Sequence, residues 1–352
     1  MTSPAASLRG SETEIATAVV QREFERRPEL GERYGADGRA KALQDARHHL
    51  AFLAHALDVD DPGAFREYVA WAKVVLTQRN VRTEDLASHL TTLAEVLRER
   101  MPDEAGRVAA AVVTSAVGAI PAMAEDVPTL LGGDLPHAAL ARDFSAAVLD
   151  GDRRAASRLV LDAVAAGTPV KDVYLHVFQP SQYEIGRLWQ TNRITVAEEH
   201  YCTAATQLVM SQLFEHVFAS SVKTGKTMVA TSVAGNLHEL GPRMVADFFE
   251  MDGWDTYYLG ADTPNDAVVA TLIARDAAIL AVSAALAPHV EPVRLLIDAV
   301  RAEPACAAVK VLVGGRPFNR DPELWRAVGA DGFALSAQQA IPLSIELIAV
   351  SA

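Results

Sequence analysis

Apolar residues recur every three to four positions through the first third of the chain, which is the spacing of amphipathic helices. The pattern predicts helices over residues 12–27, 38–59, 62–79, 83–100 and 103–120, joined by short links. Pro62 after Asp61, and Thr83 before two acidic residues, are helix start signals. The first eleven residues are mostly small and polar and are predicted to be frayed. We therefore expect an all-α domain over residues 1–130, either globin-like or a helical bundle.

A segment that contains proline and glycine, from Glu125 to Pro136, is predicted to be a linker. A second helical block follows it, and beyond that block the hydrophobic period changes. Predicted strands at 228–233, 256–259, 278–282, 309–313 and 332–334 alternate with predicted helices at 241–251, 264–275, 292–302, 322–328 and 338–350. This alternation predicts a doubly wound, five-stranded parallel sheet of Rossmann-like type. The expected domains are residues 1–130, a four-helix block over 131–224, and an α/β domain over 225–352.

Composition narrows the classes of function. The 352-residue chain carries a net charge of −13, which argues against direct DNA binding because neutralising phosphates requires a surplus of Lys and Arg. Cys202 and Cys306 are far apart, which excludes a disulfide framework and a thiolate zinc site. We read no apolar run of the roughly 18 residues that a membrane span needs, and no signal peptide. The expectation is a cytoplasmic protein without a membrane partner.

Three predicted strands end in residues suited to ligand binding, and the carboxyl ends of parallel strands are where open α/β sheets bind ligands. The first strand leads into Gly-Asn-Leu-His-Glu-Leu-Gly, which contains His238 and Gly241. The third ends at Ser283, and the fourth ends in Gly314 and Gly315, where backbone can approach a bulky group. His238 alone is either a solvated loop residue or a ligand. The neighbouring strand ends favour a ligand, while the lack of G-x-G-x-x-G disfavours a dinucleotide.

The spacing Asn236-x-His238-x-x-Gly241, followed by Ser283 and the Gly314-Gly315 pair, resembles the cobalamin-binding domain of methionine synthase and its relatives. The resemblance implies that His238 binds cobalt from below and displaces the cofactor's own base. It also implies that the displaced nucleotide tail lies beside Ser283 and the two glycines. The family carries a carboxylate where this chain has Asn236. An amide oxygen accepts the imidazole N–H but carries no charge, so the histidine is expected to be a weaker donor.

The helical block before the α/β domain contains Trp189 followed, after nine residues, by Glu199-His200. This spacing resembles that of the CarH-type light receptors. The resemblance implies adenosylcobalamin, with Trp189 beside the adenosyl group and Glu199 hydrogen-bonded to it. His200 would take the upper position on cobalt after light breaks the Co–C bond. The alternative is that Trp189 is a core aromatic residue and that Glu199-His200 is an ordinary helix start.

In the N-terminal helical region, His48, Phe52 and His55 are spaced as on one helical face, with Arg47 beside them. Such a face suits a planar tetrapyrrole, either biliverdin or, less favoured, haem. The alternative is a core face whose histidines are hydrogen-bonded. A helical domain joined to a CarH-like module without a DNA reader resembles the photocobilin receptors. That resemblance implies biliverdin held noncovalently, since no cysteine precedes Cys202.

The first hypothesis for function is therefore a light-sensing regulatory protein, not an enzyme, that forms a homo-oligomer and acts on an unidentified signalling partner. The second is a corrinoid shuttle protein for methyl transfer, whose cap opens to present cobalt to partner enzymes. The third is a haem or ligand sensor in which cobalamin is an effector.

Overall fold

The computed structural model describes residues 3–133, 135–219 and 222–349, and it divides into two compact units. The first unit contains the described residues up to Pro128 together with Gln190–Arg193. The second contains the rest, namely the second helical block and the α/β domain. The last residue of the final predicted helix, Val350, lies outside the described residues.

The first unit is helical, as the periodicity predicts. Its helices are α1 (Pro4–Gly10), α2 (Glu12–Arg26), α3 (Glu29–Tyr34), α4 (Gly38–Asp58), α5 (Pro62–Thr77), α6 (Thr83–Arg100) and α7 (Asp103–Ala119). The long helices form because each has an apolar stripe that the others cover. The buried side chains Ile15, Leu50, Phe65, Leu90 and Val113 come from five of these helices.

The prediction of a frayed N-terminus is wrong. The segment Pro4–Gly10 is α1, because Ser3 accepts a hydrogen bond from the Ala6 amide and proline occupies the first turn. Leu8 is buried in the core, and this burial stabilises a segment whose composition alone does not predict a helix. Helix α3 was also not predicted, since six residues are too few to show a period.

Among the described residues, one helical segment is long and apolar enough to span a membrane by length and composition alone, contrary to the prediction from the sequence. It is Glu104–Ala122, which comprises all but the first residue of α7 and the 3₁₀ turn Ile120–Ala122 that follows it. Ala109, Val113 and Ala116 of this helix are buried in the core of the first unit. Because the core helix of a globular domain has the same composition, this match is weak evidence of a membrane span.

The second unit begins with a helical cap. It contains α8 (Ala138–Leu149), α9 (Arg153–Ala165), α10 (Val170–Val173), a π-helical turn (Tyr174–Phe178), α11 (Gln179–Gln190), α12 (Val196–Gln212) and α13 (Phe214–Val217). Helix α8 packs against α9, against the π-helical turn and against α12. Helix α12 starts at a capping box, in which Thr195 and Glu198 each bind the other's backbone amide.

The α/β domain is a five-stranded parallel sheet, as predicted. The strands are β1 (Thr227–Ser232), β2 (Asp255–Tyr258), β3 (Ile279–Ser283), β4 (Lys310–Gly314) and β5 (Gly332–Phe333), in the order β2-β1-β3-β4-β5. Its helices are α14 (Leu240–Met251), α15 (Asn265–Ala274), α16 (Val290–Ala302), α17 (Arg316–Arg320), α18 (Leu324–Ala327) and α19 (Ala337–Ala349). Each is close to a predicted helix except α17, which follows the glycine pair directly.

The cap and the α/β domain share one hydrophobic core. Tyr174 and Phe178 of the cap and Phe248 and Phe249 of α14 are all buried within it. Tyr174 also donates a hydrogen bond to Asp247 of α14 at 2.7 Å. The α/β domain therefore covers the apolar face of the cap, and this contact holds the cap against α14.

Candidate functional site

The loop after β1 is held in one conformation by hydrogen bonds. Gly235 has a φ of +79°, a conformation that glycine adopts without strain, and its amide donates to Asp262 Oδ1 at 2.7 Å. The next amide, of Asn236, donates to the Val233 carbonyl at 3.0 Å. This tight turn carries the chain back over the end of the sheet and buries the side chain of Asn236 completely.

The buried side-chain amide of Asn236 determines which ring nitrogen of His238 carries the proton. Asn236 Nδ2 donates to the Ser283 carbonyl at 3.1 Å, so Oδ1 must face the other way, toward His238. Oδ1 accepts the His238 backbone amide at 3.0 Å and lies 3.1 Å from Nδ1 of the same residue. Because Oδ1 is only an acceptor, Nδ1 must carry the proton. The lone pair of His238 is therefore on Nε2, the nitrogen that a metal would need.

His238 is an exposed residue whose ring is nevertheless partly shielded from water. This desolvation lowers the pKa of the imidazole, and the charge of Glu199 opposes the shift. The net direction favours a neutral ring, which is the form that binds metals.

The other residues predicted for the lower side of the site lie beside this histidine. Ser283 pairs in register with Ser232 on one side and with Gly314 on the other, so three strands end at one level. A Cβ on Gly241 would lie 3.5 Å from Ser283 Oγ, which places the start of α14 against the same strand end. Asn236, His238, Gly241, Ser283 and Gly314 thus form one group, as the sequence predicts.

At the same edge of the sheet, the backbone conformation at position 315 requires glycine. Its φ is +102°, and a Cβ at this position would clash with the Ala284 carbonyl. Only glycine lets the chain turn here so close to the neighbouring strand end.

A second histidine, His289, lies next to His238 and was not predicted from the sequence. The two ring centroids are 6.4 Å apart. Nδ1 of His289 accepts the Leu286 amide at 3.2 Å. Burial, together with the nearby His238, lowers the pKa of His289 to about 4, so this ring is also neutral at pH 7.

The cap supplies the residues predicted for the upper side. Glu199 and His200 lie in the first turn of α12, with His200 Nε2 3.5 Å from Glu199 Oε2. Glu199 is half-buried and close enough to His238 to act on its pKa, whereas His200 is exposed. Trp189 lies half-buried near the end of α11. The structure therefore brings Glu199, and not His200, toward the lower-side histidine.

Polar side chains that the sequence reading missed extend this upper side. Thr203 Oγ1 donates to Glu199 Oε1 at 3.0 Å and lies 3.2 Å from Gln182 Oε1. Gln207 Nε2 donates to Glu239 Oε1 at 2.6 Å, which ties α12 to the residue after His238. The spacing of Glu199, Thr203 and Gln207, four residues apart, is the signal that could have revealed this polar helical face.

The residues predicted for a tetrapyrrole in the first unit do not share one buried face. Arg47 and His48 are exposed, Phe52 is half-buried and stacks on Tyr68 at 3.9 Å between centroids, and His55 is buried. The i, i+4, i+7 spacing places the three residues along a face but does not decide how deep each side chain lies.

Two other histidines form the buried polar cluster of this unit. His49 Nδ1 is 2.8 Å from the Tyr68 hydroxyl, and His89 Nδ1 is 2.5 Å from Glu23 Oε2. Burial lowers the pKa of His49 and raises that of Tyr68. His89 Nε2 is buried without a hydrogen-bond partner among the described protein groups. The four partners come from different helices, so no local spacing reveals them.

Comparisons with known proteins find relatives of the helical cap and of the α/β domain. Two family models match, both described as B12 binding domains, over residues 226–342 and 140–214. A corrinoid protein of Desulfitobacterium hafniense is 23% identical over 210 residues, which is 58% of this chain and 96% of that protein. Dimethylamine corrinoid protein 3 of Methanosarcina acetivorans is 23% identical over 54% of this chain and 89% of its own length.

A solved structure has the same fold. The monomethylamine corrinoid protein of Methanosarcina barkeri is 21% identical and has a TM-score of 0.53, over 60% of this chain and all of that one.

The side chains present fit cobalamin. A corrin ring surrounds cobalt with four nitrogens, and a neutral imidazole with a free Nε2 lone pair suits the position below. The glycines at the end of β4 and at the start of α14 let neighbouring strand ends and backbone approach closely at this edge. The chain therefore contains a cobalamin-binding module, made of a Rossmann-like B12-binding domain and the helical B12-binding domain that precedes it.

Proposed function

We propose that this chain is a corrinoid protein that carries a methyl group between partner proteins, with His238 as the lower ligand of cobalt. The observation that carries the proposal is the buried Asn236 amide, which leaves His238 with its lone pair on Nε2. The relatives named as corrinoid proteins support it, since they match most of their own length to this chain. Bound cobalamin supplies a cobalt centre that accepts and releases a methyl group.

The chain's own residues orient and shield that centre. Asn236 fixes the ring of His238 by accepting both its backbone amide and its Nδ1–H. Gln207 binds Glu239 and holds α12 over the loop that carries His238. A partner enzyme reaches the upper side only when this contact opens, so the cap excludes water between transfers.

The test begins with hydroxocobalamin binding to the purified chain, then compares methylcobalamin with adenosylcobalamin by absorbance titration in the dark. The proposal predicts stoichiometric methylcobalamin binding and remethylation of the reduced protein by methyl iodide. Failure to bind any cobalamin would contradict it, and so would binding of adenosylcobalamin alone. His238→Ala should weaken this binding, and His216→Ala, at an exposed histidine of α13, is the matched control for histidine loss outside the site.

A second candidate is the light-sensing function, and one observation favours it. Glu199 and His200 lie together in the first turn of α12, and Glu199 is close to His238. Thr203 and Gln182 add hydrogen-bonding groups that suit the hydroxyls of an adenosyl ligand. This function predicts tight adenosylcobalamin binding and a photoproduct whose absorption spectrum changes in His200→Ala. An unchanged photoproduct in that variant would exclude it.

We propose no biliverdin or haem for the first unit. Arg47 and His48 are exposed, which leaves His55 without the second buried histidine and the cation that the sequence reading assigned to a tetrapyrrole. The measurement that would overturn this view is a visible band on adding biliverdin or haem to the chain that is lost in His55→Ala.

A further inference from the structure

His289 lies beside the proposed cobalt ligand, His238, but carries its ring proton on the other nitrogen. It ends the short 3₁₀ turn Ala287–His289, which follows the exit of β3. Its ring is 6.4 Å from that of His238, between centroids, with the planes 52° apart. The two imidazoles therefore lie side by side at the ends of the neighbouring strands β1 and β3.

The hydrogen bonds of His289 determine its tautomer. Nδ1 accepts the backbone amide of Leu286 at 3.2 Å, so Nδ1 holds a lone pair and not a proton. A neutral ring in this arrangement carries its proton on Nε2. Within residues 3–133, 135–219 and 222–349, the structure gives Nε2 of His289 no hydrogen-bond acceptor.

The two histidines are thus opposite tautomers. His238 donates from Nδ1 to Asn236 and has a lone pair on Nε2, whereas His289 has an N–H at that nitrogen. His289 cannot replace His238 as a cobalt ligand while it accepts the Leu286 amide. Its Nε2–H is instead a hydrogen-bond donor for a group bound at this edge of the sheet.

We propose that His289 is a specificity residue of the cobalamin site, whose Nε2–H donates to an acceptor oxygen on the lower side of the cofactor. This inference rests on the proposed binding of cobalamin with His238 below cobalt. The acceptor is either the phosphodiester of the nucleotide loop or an amide carbonyl of the corrin ring. Both are oxygens that a neutral imidazole N–H can bind.

Two substitutions separate this role from the structural role of Nδ1. His289→Asn places an amide oxygen near the position of Nδ1 and keeps an acceptor for the Leu286 amide, but it lacks the distant donor. His289→Gln places an amide NH₂ near the position of Nε2 and keeps that donor. Equilibrium binding of cobalamin and of cobinamide, which lacks the nucleotide loop, is then measured for the wild type and both variants.

We expect His289→Asn to weaken cobalamin binding about tenfold, or 1.4 kcal/mol, and His289→Gln to keep most of the affinity. If cobinamide binding is unchanged in His289→Asn, the acceptor is in the nucleotide loop; if it also falls tenfold, the acceptor is a corrin amide. The melting temperatures of the cobalamin-free Asn variant and wild type should agree.

Equal cobalamin affinity of wild type and His289→Asn would overturn the role of His289 and leave the proposed function standing. Equal losses in the Asn and Gln variants would also overturn it, because the donor would then not matter. If the wild type binds no cobalamin, the proposed function fails, and the role of His289 fails with it.

Discussion

At the residue scale, Asn236 makes three hydrogen bonds, to two residues, with one uncharged side-chain amide. It donates to the Ser283 carbonyl and accepts both the amide and the ring N–H of His238. A carboxylate would polarise His238 more strongly, but its second oxygen would face the Ser283 carbonyl at about the same distance. With an amide partner, His238 is therefore a weaker donor to a metal than it would be with a carboxylate partner. In return, the amide forms a hydrogen bond that joins the loop after β1 to the end of β3.

We expect Asn236→Ala to weaken cobalamin binding about 10- to 100-fold, the range typical when the partner of a metal-bound histidine is removed. Asn236→Asp keeps an acceptor for His238 and should lose less affinity. Because its carboxylate meets the Ser283 carbonyl, it should lower the free energy of unfolding by about 1–3 kcal/mol. Absorbance titration and urea unfolding measure the two effects. Equal affinity of Asn236→Ala and wild type would show that Asn236 does not orient the ligand.

At the scale of elements, the long helices and the strands were predictable because their periods extend over many residues. The lower side of the site was predictable for a related reason. Asn236, His238 and Gly241 are close in sequence, and strand ends of a parallel sheet meet at one edge. His289 and the contact of Gln207 with Glu239 depend on how separate elements pack, so no short motif encodes them.

In the first unit as well, the sequence pattern does not show which side chains the packing of separate helices buries. His48 and His49 are adjacent on α4, yet a rotation of about 100° per residue leaves one exposed and the other buried. The period of α4 predicts a helix correctly, but the histidine that enters the core is decided by α5 and α6. Tyr68 and His89 on those helices complete the cluster.

Asp85 joins the short helix α3 and the end of α2 to α6, and we expect its loss to destabilise the first unit. Arg27 and Arg33 donate to its carboxylate at 2.5 and 2.8 Å, and Tyr34 donates a further hydrogen bond. Asp85→Asn should lower the free energy of unfolding by about 1–3 kcal/mol at pH 7. Chemical unfolding of both proteins measures this difference, with Asp37→Asn as control at an exposed residue whose side chain makes no capping hydrogen bond.

The effect of Asp85→Asn should depend on pH in a definite direction. Burial acts to raise the pKa of Asp85, but the hydrogen bonds from Tyr34, Arg27 and Arg33 outweigh it and lower the pKa below its usual value. The stabilisation is thus complete above the unfolded pKa of about 4 and is lost as the pH falls toward the folded value. A difference between variant and wild type that grows on acidification would contradict this assignment.

At the scale of the whole molecule, each of the two units has its own hydrophobic core. The cap and the α/β domain share one hydrophobic core, and both family matches lie within that second unit except at Gln190–Arg193. The first unit has its own core, built from its helices alone. A ligand of the second unit should therefore stabilise that unit directly.

We expect calorimetry to show separate unfolding transitions for the two units, with cobalamin raising the melting temperature of one. At a free ligand concentration one hundred times the Kd, the stabilisation is about 2.7 kcal/mol. In His238→Ala the same addition should shift the transition much less. A shift of equal size in His238→Ala and wild type would mean that cobalamin binds elsewhere.

The most direct test of the central claim is an electron paramagnetic resonance spectrum of the chain loaded with cob(II)alamin, with the protein's histidines labelled with ¹⁵N. The lower nitrogen splits the cobalt lines, into triplets for ¹⁴N and into doublets for ¹⁵N. We predict doublets in the labelled wild type and their loss in His238→Ala. Triplets in the labelled wild type would mean that the cofactor keeps its own base, and that His238 is not the cobalt ligand.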